Sequence, residues 1–297
     1  MNPLYDVLIE PFRTPFMVRA LLELVILGAL AGTVGLLVLL RRLAFVTDTL
    51  THTVFPGLVI GFLCTGEGGV FWGALAAGVV TAIILTLLTR RRRVTEDAAL
   101  AILLTTFFAV GVVLVSRRSS YTADLTAFLF GRVLTVSETQ ILQTGIVTLL
   151  VVGALLLLRR PLLLRTFDAE GARAAGYHVD VLDLVTNVLV ALVVVAAARA
   201  IGTVLVIALL IVPAATARAL TDRLAPLIPL AALVGVLSGW LGLAASYEAS
   251  IHHGLRLASG GTVVLVLVLT YLLAVTVPVL GRFVRRHAKP TNRLETP

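Results

Sequence analysis

Residues 40–63 read LRRLAFVTDTLTHTVFPGLVIGFL and place an aspartate and a histidine inside a segment that is otherwise apolar enough to cross a membrane. The spacing of four residues puts Asp48 and His52 on one face of a helix. Ionisable groups in a membrane segment are costly and mark functional candidates. A carboxylate beside an imidazole is a usable ligand pair for a borderline divalent cation. Pro56 and Gly57 follow directly and predict a kink, because proline removes a backbone hydrogen bond.

The same pair also has structural interpretations. Asp48 and His52 can bond each other and so satisfy two buried polar groups, or they can lie at the membrane interface close to Arg41 and Arg42. Two ligands are too few for a metal site, but a two-fold dimer with this helix on its axis would supply two carboxylates and two imidazoles. Asp48 lies only about four residues, roughly 6 Å, into its span, so a cytoplasm-facing vestibule is an alternative to the midplane. From the residues these alternatives stay open.

The rest of the chain has the composition of a membrane protein. It is 59% hydrophobic and 13% charged over 297 residues, which indicates an all-α polytopic membrane protein and not a soluble domain. One transmembrane domain is expected over 1–297, with a short N-terminal segment at 1–15 and a tail at 285–297. About nine transmembrane helices are predicted, with eight as the alternative, at residues 16–40, 44–64, 70–89, 97–115, 140–158, 181–198, 201–220, 225–246 and 261–284.

The basic residues predict the orientation of the chain. Most of the 24 Lys and Arg residues fall in one alternate set of connections between the apolar segments. Because Lys and Arg concentrate in cytoplasmic loops, this set and the C-terminus are placed in the cytoplasm. The N-terminus is then outside. The net charge of +8 therefore indicates topology and not nucleic-acid binding.

The absence of one motif limits the chemistry that the chain can perform. Lys289 is the only lysine and lies in the tail, so the chain lacks the phosphate-binding loop GxxxxGK[ST] and another polypeptide would have to bind ATP.

Glu23 is the other acid well inside an apolar segment, and the preferred interpretation pairs it with Arg19 four residues earlier. Pro213 is interpreted as an ordinary kink.

The longer connections carry further candidates. Residues 116–139 are predicted to form an outer segment with an apolar patch, and 159–180 an inner segment that includes a short helix. Asp168 and Glu170 lie where a helix N-terminus favours negative charge, and Gly176 where the helix would stop. The third connection, at 247–260, is an outer loop with His252 and His253, for which an ordinary loop is preferred over metal collection.

Five motifs resemble, in family order across about residues 16–280, the permease subunits of zinc, manganese and iron ABC importers. They are LRRLAFVTDTLTHTVFPG, RRRVTEDAALAILLTTFFAVGVVL, DLTAFLFGRVLTVS, FDAEGARAAGYHVDVLDL and AIGTVLVIALLIVPAATARAL. Thr51 departs from the serine that is usual before the histidine. The related vitamin B12 and siderophore permeases carry an Arg-Asn-Pro-Leu-Ala motif where this chain has Asp48 and His52, which favours a bare ion over a large chelate.

The resemblance implies a type II ABC importer-like permease, a homodimer in the bacterial cytoplasmic (inner) membrane. Its implied partners are a cytoplasmic ATP-binding cassette ATPase and an extracytoplasmic metal-binding protein, with no nucleic acid. Asp48 and His52 would contact the transported ion, with zinc as first choice and manganese or iron as alternatives. The chain would be a transport subunit and no enzyme, without a resident cofactor.

The resemblance also assigns two further sets of residues. The inner segment is expected to contact the ATPase through Phe167, Asp168, Glu170, Arg173 and Gly176. An outer gate is expected at Leu125, Phe128, Leu129 and Phe130. The alternative function is a gradient-driven secondary metal transporter, which would also place ionisable residues in broken helices. Such a carrier has no obvious need for the inner segment at 166–179. A purely structural membrane subunit is hard to reconcile with Asp48 and His52.

Overall fold

The computed structural model describes residues 8–90, 94–116, 131, 133–251, 254–255 and 257–287, with side chains up to residue 277. Within these ranges the regular structure is helical, with short 3-10 turns at Glu10–Arg13 and Val133–Thr135. The α-helices are α1 Pro15–Leu40, α2 Ala44–Thr53, α3 Phe55–Thr65, α4 Glu67–Arg90, α5 Glu96–Val115, α6 Glu138–Leu157, α7 Arg159–Phe167, α8 Ala169–Ala174, α9 Val179–Ile201, α10 Thr203–Leu220, α11 Leu224–Ile251 and α12 Ser259–His287.

The predicted number of membrane spans is confirmed. Among the described residues, nine helical segments are long and apolar enough to cross a membrane, with α2 and α3 together forming the second of them. Most residues of α1, α2–α3 and α9 are buried inside the protein, whereas few residues of α6 and α12 are. The helix that carries Asp48 and His52 therefore belongs to the enclosed part of the bundle, and α6 and α12 lie at its periphery.

The second span is interrupted at Val54, two residues before Pro56, where a kink is predicted. Val54 itself keeps helical dihedral angles, and its N–H donates to the Leu50 carbonyl at 3.2 Å. The helix ends at Thr53 and a new one starts at Phe55, which leaves Val54 between them. Pro56 lies in the first turn of α3, where its missing N–H costs nothing because the first N–H groups of a helix have no partner within it. Pro213, in contrast, lies inside the continuous helix α10. The break separates a short polar half-helix, α2, from the apolar half-helix α3.

Polar contacts sort the helix ends into two groups. At one end, Arg41 after α1 and Arg90 at the end of α4 pair with Asp183 and Asp180 near the start of α9. We call this the basic end. At the other end, the first half of α6 contacts both α1 and the last turn of α9, where Arg199 donates to the side-chain carbonyl of Gln143 at 3.0 Å. Helices α1 and α4 therefore end, and α9 begins, at the same end of the bundle, which agrees with the predicted alternation of these spans.

Three predicted boundaries are corrected. The connection at 247–260 is shorter than predicted, because α11 continues to Ile251 through residues that contain no helix breaker. The inner segment at 159–180 is more helical than predicted, since α7 precedes the expected short helix, α8. The tail predicted at 285–297 begins inside a helix, because α12 extends to His287. A prediction from hydropathy places the end of a span where the apolar residues stop. The helix itself continues as long as its backbone hydrogen bonds can form.

Candidate metal-transport site

Asp48 and His52 lie on one face of α2, at the basic end. His52 Nε2 and Asp48 Oδ1 are 3.7 Å apart, and the side chains are 26% and 41% exposed. This separation exceeds the usual 2.7–3.2 Å of a hydrogen bond. The two groups are therefore close enough to share a small cation, but they do not satisfy each other by a direct bond.

The two faces of α2 differ in polarity and in exposure. Thr47, Thr51 and Thr53 are fully buried, and their hydroxyls donate to main-chain carbonyls three or four residues earlier in the chain. Asp48 and His52 lie on the more exposed side of the helix together with Phe45, which is 71% exposed. The hydroxyls of these buried threonines are satisfied within α2, whereas the side chains of Asp48 and His52 stay partly exposed.

An aromatic contact holds the histidine. The His52 ring lies edge-on to the ring of Phe108 from α5, with centroids 5.7 Å apart and an interplanar angle of 86°. Phe55, at the start of α3, lies 6.1 Å from the same Phe108 ring. The imidazole is therefore packed against an apolar ring of the neighbouring helix.

The ligand set of one protomer is incomplete. Within the part of the chain that the structure describes, no group of three or more His, Cys, Asp or Glu side chains could hold a metal ion. Cys64, the single cysteine, is exposed at the end of α3, and α3 leads away from the basic end. Asp48 and His52 are therefore two candidate ligands, which are too few to hold a metal ion by themselves.

Arg41 is not a partner of this pair. Its guanidinium donates to Asp183 and to the hydroxyl of Thr186, both on α9. Arg165 of α7 donates to the second oxygen of Asp183 at 2.9 Å. Sequence reasoning treated these arginines as topology signals and missed the aspartate. The available signal was the spacing of Asp180, Asp183 and Asn187, which repeats at helical intervals along the start of α9.

The inner segment forms the predicted short helix. Asp168 is the single residue between α7 and α8, and its Oδ1 accepts from the Gly171 N–H at 2.7 Å as an N-cap. Gly176 follows the helix with φ of 84°, as a helix stop requires. Phe167 is 63% exposed. The segment also carries the exposed Glu170–Arg173 pair, with a distance of 2.9 Å.

The predicted pairing of Glu23 with Arg19 is wrong. Glu23 is fully buried, and its Oε1 accepts from the Thr144 hydroxyl of α6 at 2.8 Å. Arg19 Nε donates instead to the Pro15 carbonyl at 3.5 Å. Glu23 Oε2 has no hydrogen-bond partner among the described residues. The partner on α6 is 121 residues away, so helical spacing within α1 cannot reveal it.

The remaining predicted candidates lie outside the described residues. These are the outer-gate residues Leu125, Phe128, Leu129 and Phe130, and the paired histidines His252 and His253.

The sequence matches a family of transport proteins over nearly its whole length. The family model described as "ABC 3 transport family" matches residues 13–278. The manganese transport system membrane protein MntC of Halalkalibacterium halodurans is 38% identical over 251 residues, covering 84% of this chain and 83% of that protein. The manganese import system permease protein ScaB of Streptococcus gordonii is 32% identical over 279 residues, covering 92% and 95%.

Solved structures share the fold. PsaBC from Streptococcus pneumoniae, in complex with Fab, superimposes with a TM-score of 0.77 at 29% identity and covers 90% of this chain and 94% of its own. An ABC transporter in an inward-facing conformation gives a TM-score of 0.67 at 20% identity, covering 91% and 85%, which shows the common fold alone. Both neighbours support the type II importer fold that the resemblance implies.

These matches decide between the functional alternatives. A gradient-driven carrier has no support, since the chain matches ABC transport proteins across the span of its helices. The preference for zinc has no support either, because the names of MntC and ScaB give manganese. The chain belongs to the ABC 3 transport family and is the multi-pass membrane permease subunit of a metal ABC importer, a transport component and not an enzyme.

Proposed function

We propose that this chain imports manganese(II) across the bacterial cytoplasmic membrane and that Asp48 and His52 contact the ion. The observation that carries the proposal is the geometry of this pair, with Nε2 and Oδ1 3.7 Å apart on the more exposed side of a broken span. Broken helices with ionisable residues are where membrane transporters bind their substrates. Asp48 lies about 6 Å along α2 from its start, so the ion would meet the pair in the half of the membrane nearest the basic end.

The incomplete ligand set supports a homodimer. A two-fold axis beside α2 would bring together two carboxylates and two imidazoles, because the same surface meets itself in such an interface. Phe45 next to the pair is 71% exposed and would be covered by the same contact. The ion would then pass between the two protomers and not through either one.

The choice of manganese rests on the ligands and on the relatives. Carboxylate oxygens suit manganese, whereas thiolates, which would favour softer or more tightly bound metals, are absent from the proposed pair. Imidazole also suits zinc and ferrous iron, so the ligand types alone leave these two ions as competitors. The names of MntC and ScaB, which give manganese, favour that ion here.

The energy and the ion would come from partners. Because the chain has no phosphate-binding loop, ATP would be bound by a cytoplasmic ATPase. This partner would contact Phe167 at the end of α7 and Glu170 and Arg173 of α8. An extracytoplasmic binding protein would deliver the ion at the opposite end. The basic end and the C-terminus would face the cytoplasm, as the distribution of arginines predicts. ATP-driven alternating access would then release manganese beside the basic end.

Uptake by proteoliposomes tests the proposal. The permease, its co-purifying ATPase and the binding protein are reconstituted, and ATP-dependent accumulation of Mn²⁺ is measured with Zn²⁺ and Fe²⁺ as competitors. We expect Mn²⁺ uptake, and a loss of about tenfold or more in Asp48→Asn and His52→Gln, because each removes a ligand from both protomers. ATP-dependent uptake of zinc but not manganese would overturn the choice of metal.

A matched variant controls for charge removal. Asp222 also lies four residues from its charged partner, Arg218, at 3.5 Å, but it is 96% exposed in the connection after α10. Asp222→Asn is expected to leave uptake within about twofold of wild type, since exposed pairs contribute little. If Asp48→Asn and His52→Gln transport as well as Asp222→Asn, the pair does not contact the ion.

A further inference from the structure

One carboxylate joins three separate parts of the chain at the basic end. Asp183 lies in the second turn of α9. Its Oδ2 accepts a hydrogen bond from Arg165 of α7 at 2.9 Å, and its Oδ1 accepts one from Arg41 at the end of α1. Arg41 also donates to the Thr186 hydroxyl, one turn further along α9. The proposed functions of Asp48, His52 and α8 do not explain this cluster.

The two arginines lie close to the two functional segments. Arg165 is two residues before the end of α7, and only Asp168 separates α7 from α8. Arg41 is the C-cap of α1, and α2 begins three residues later at Ala44. Asp183 is therefore the link between the segment proposed to contact the ATPase and the helix proposed to contact the ion.

The cluster is sheltered enough to act as a unit. The side chains of Arg41, Arg165 and Asp183 are 9%, 24% and 27% exposed. Charge-assisted bonds in such surroundings are stronger than those of exposed pairs. Removal of the carboxylate would leave two guanidinium groups facing each other without the charge that now holds them together. The Asp183 carboxylate therefore holds Arg41 and Arg165 together in one cluster.

The corner between α1 and α2 is stiff. The Arg41 N–H donates to the Leu37 carbonyl at 3.0 Å, and the Leu43 N–H donates to the Val38 carbonyl at 2.8 Å. Arg42 between them adopts a left-handed conformation with φ of 58°, which is uncommon for a residue with a side chain. These bonds tie the turn to the end of α1. Arg41, which is held by Asp183, and the start of α2 therefore belong to the same bonded corner.

We propose that Asp183 is a positioning residue that couples movement of the α7–α8 segment to α2. A shift of α8 would move Arg165, and the shared carboxylate would pass the shift to Arg41 and so to the helix of Asp48 and His52. This inference rests on the proposed function, in which α8 meets the ATPase and α2 meets the ion. Coupling carried by such a network is established by measuring coupling and not by proximity alone.

The test measures manganese taken up per ATP hydrolysed in the reconstituted importer. We expect Asp183→Asn to lower this ratio about tenfold while ATP hydrolysis changes little, because the ATPase would still cycle but its movement would no longer reach α2. Arg165→Gln should act in the same direction, since it removes the link to α7 and leaves Arg41 bound to Asp183. Asp183→Glu, which keeps the charge, should restore much of the ratio.

Asp180→Asn is the matched control. Asp180 lies one turn before Asp183 on α9 and pairs with Arg90 of α4 at 2.8 Å, but the pair is 50% and 62% exposed and involves neither α7 nor α1. This variant should keep the uptake-to-ATP ratio within about twofold of wild type. Thermal unfolding and co-purification of the ATPase show whether each variant is folded and assembled. If Asp183→Asn is not folded and assembled, the uptake-to-ATP ratio of Arg165→Gln tests the coupling role instead.

The outcomes separate the two proposals. An unchanged ratio in folded Arg165→Gln, or an equal loss in Asp180→Asn, would overturn the coupling role of Asp183. A parallel loss of ATP hydrolysis and uptake in Asp183→Asn would also overturn it, because that result indicates a structural role. Wild-type importer that hydrolyses ATP but accumulates no Mn²⁺ would instead refute the proposed function.

Discussion

Helices α3 and α4 are packed so closely at Gly57 and Gly73 that adding one methyl group at either glycine should push the two helices apart. A Cβ added to Gly57 would lie 2.3 Å from the Gly73 carbonyl oxygen and 2.4 Å from the Ala77 Cβ. A Cβ on Gly73 would lie 2.1 Å from the Gly57 carbonyl oxygen. Ordinary contacts begin near 3.4 Å. The obstructing atoms are a backbone carbonyl oxygen and a Cβ, neither of which can rotate aside, so Gly57→Ala forces the helices apart by about 1 Å.

This separation sets the size of the effect. Overpacking in a tight interior costs about 1–3 kcal/mol, and Gly57→Ala should reach about 3 kcal/mol because two backbones must part. At roughly 2–4 °C per kcal/mol for a large chain, the melting midpoint should fall by about 6–12 °C. Since α3 directly follows the break after α2, manganese uptake should fall as well.

Thermal unfolding of the full chain in detergent measures the effect. The matched controls are Gly145→Ala and Gly153→Ala in α6, where a Cβ would meet no described atom within 4 Å. These controls should be neutral or stabilising by up to about 1 kcal/mol, because alanine is the better helix former. A Gly57→Ala midpoint within about 2 °C of wild type, or an equal fall in both controls, would refute the packing argument.

Thr144→Val should destabilise the protein by about 1 kcal/mol, seen as a lower melting midpoint, because it removes the donor to the buried Glu23 carboxyl group. Asp168→Ala should cost α8 about 1 kcal/mol and raise the hydrogen-exchange rate of its amides about fivefold, since the N-cap is lost. Cys64 should react with a membrane-impermeant maleimide added outside right-side-out vesicles, because it is exposed at the end of the span opposite the basic end.

Each of these three experiments has a clear contrary result. Thr105→Val is the control for Thr144→Val, because the exposed Thr105 hydroxyl donates only to carbonyls of its own helix. An equal loss in both variants would show that the bond to Glu23 contributes nothing. Unchanged exchange in Asp168→Ala would contradict the role of the cap. Labelling of Cys64 only after the vesicles are opened would reverse the proposed orientation.

The features predicted correctly depend on short stretches of the chain. The spans follow from the length of apolar runs, the interruption at Val54 lies where Pro56 predicts a kink, and the common face of Asp48 and His52 follows from a spacing of four residues. Asp168 and Gly176 bound α8 because a cap and a left-handed stop are chosen by adjacent residues. These are local effects of backbone geometry and of transfer from water to lipid, which act within one or two helical turns.

The sequence by itself therefore determined the helices and the common helical face of Asp48 and His52. Only the tertiary structure decided that the pair stays partly exposed, that Glu23 meets Thr144, and that Asp183 joins Arg41 to Arg165. The bonds of Glu23 and Arg41 span 121 and 142 residues. Such contacts depend on which helices become neighbours and how they are rotated, and the apolar residues that drive insertion are almost the same on every face of these helices.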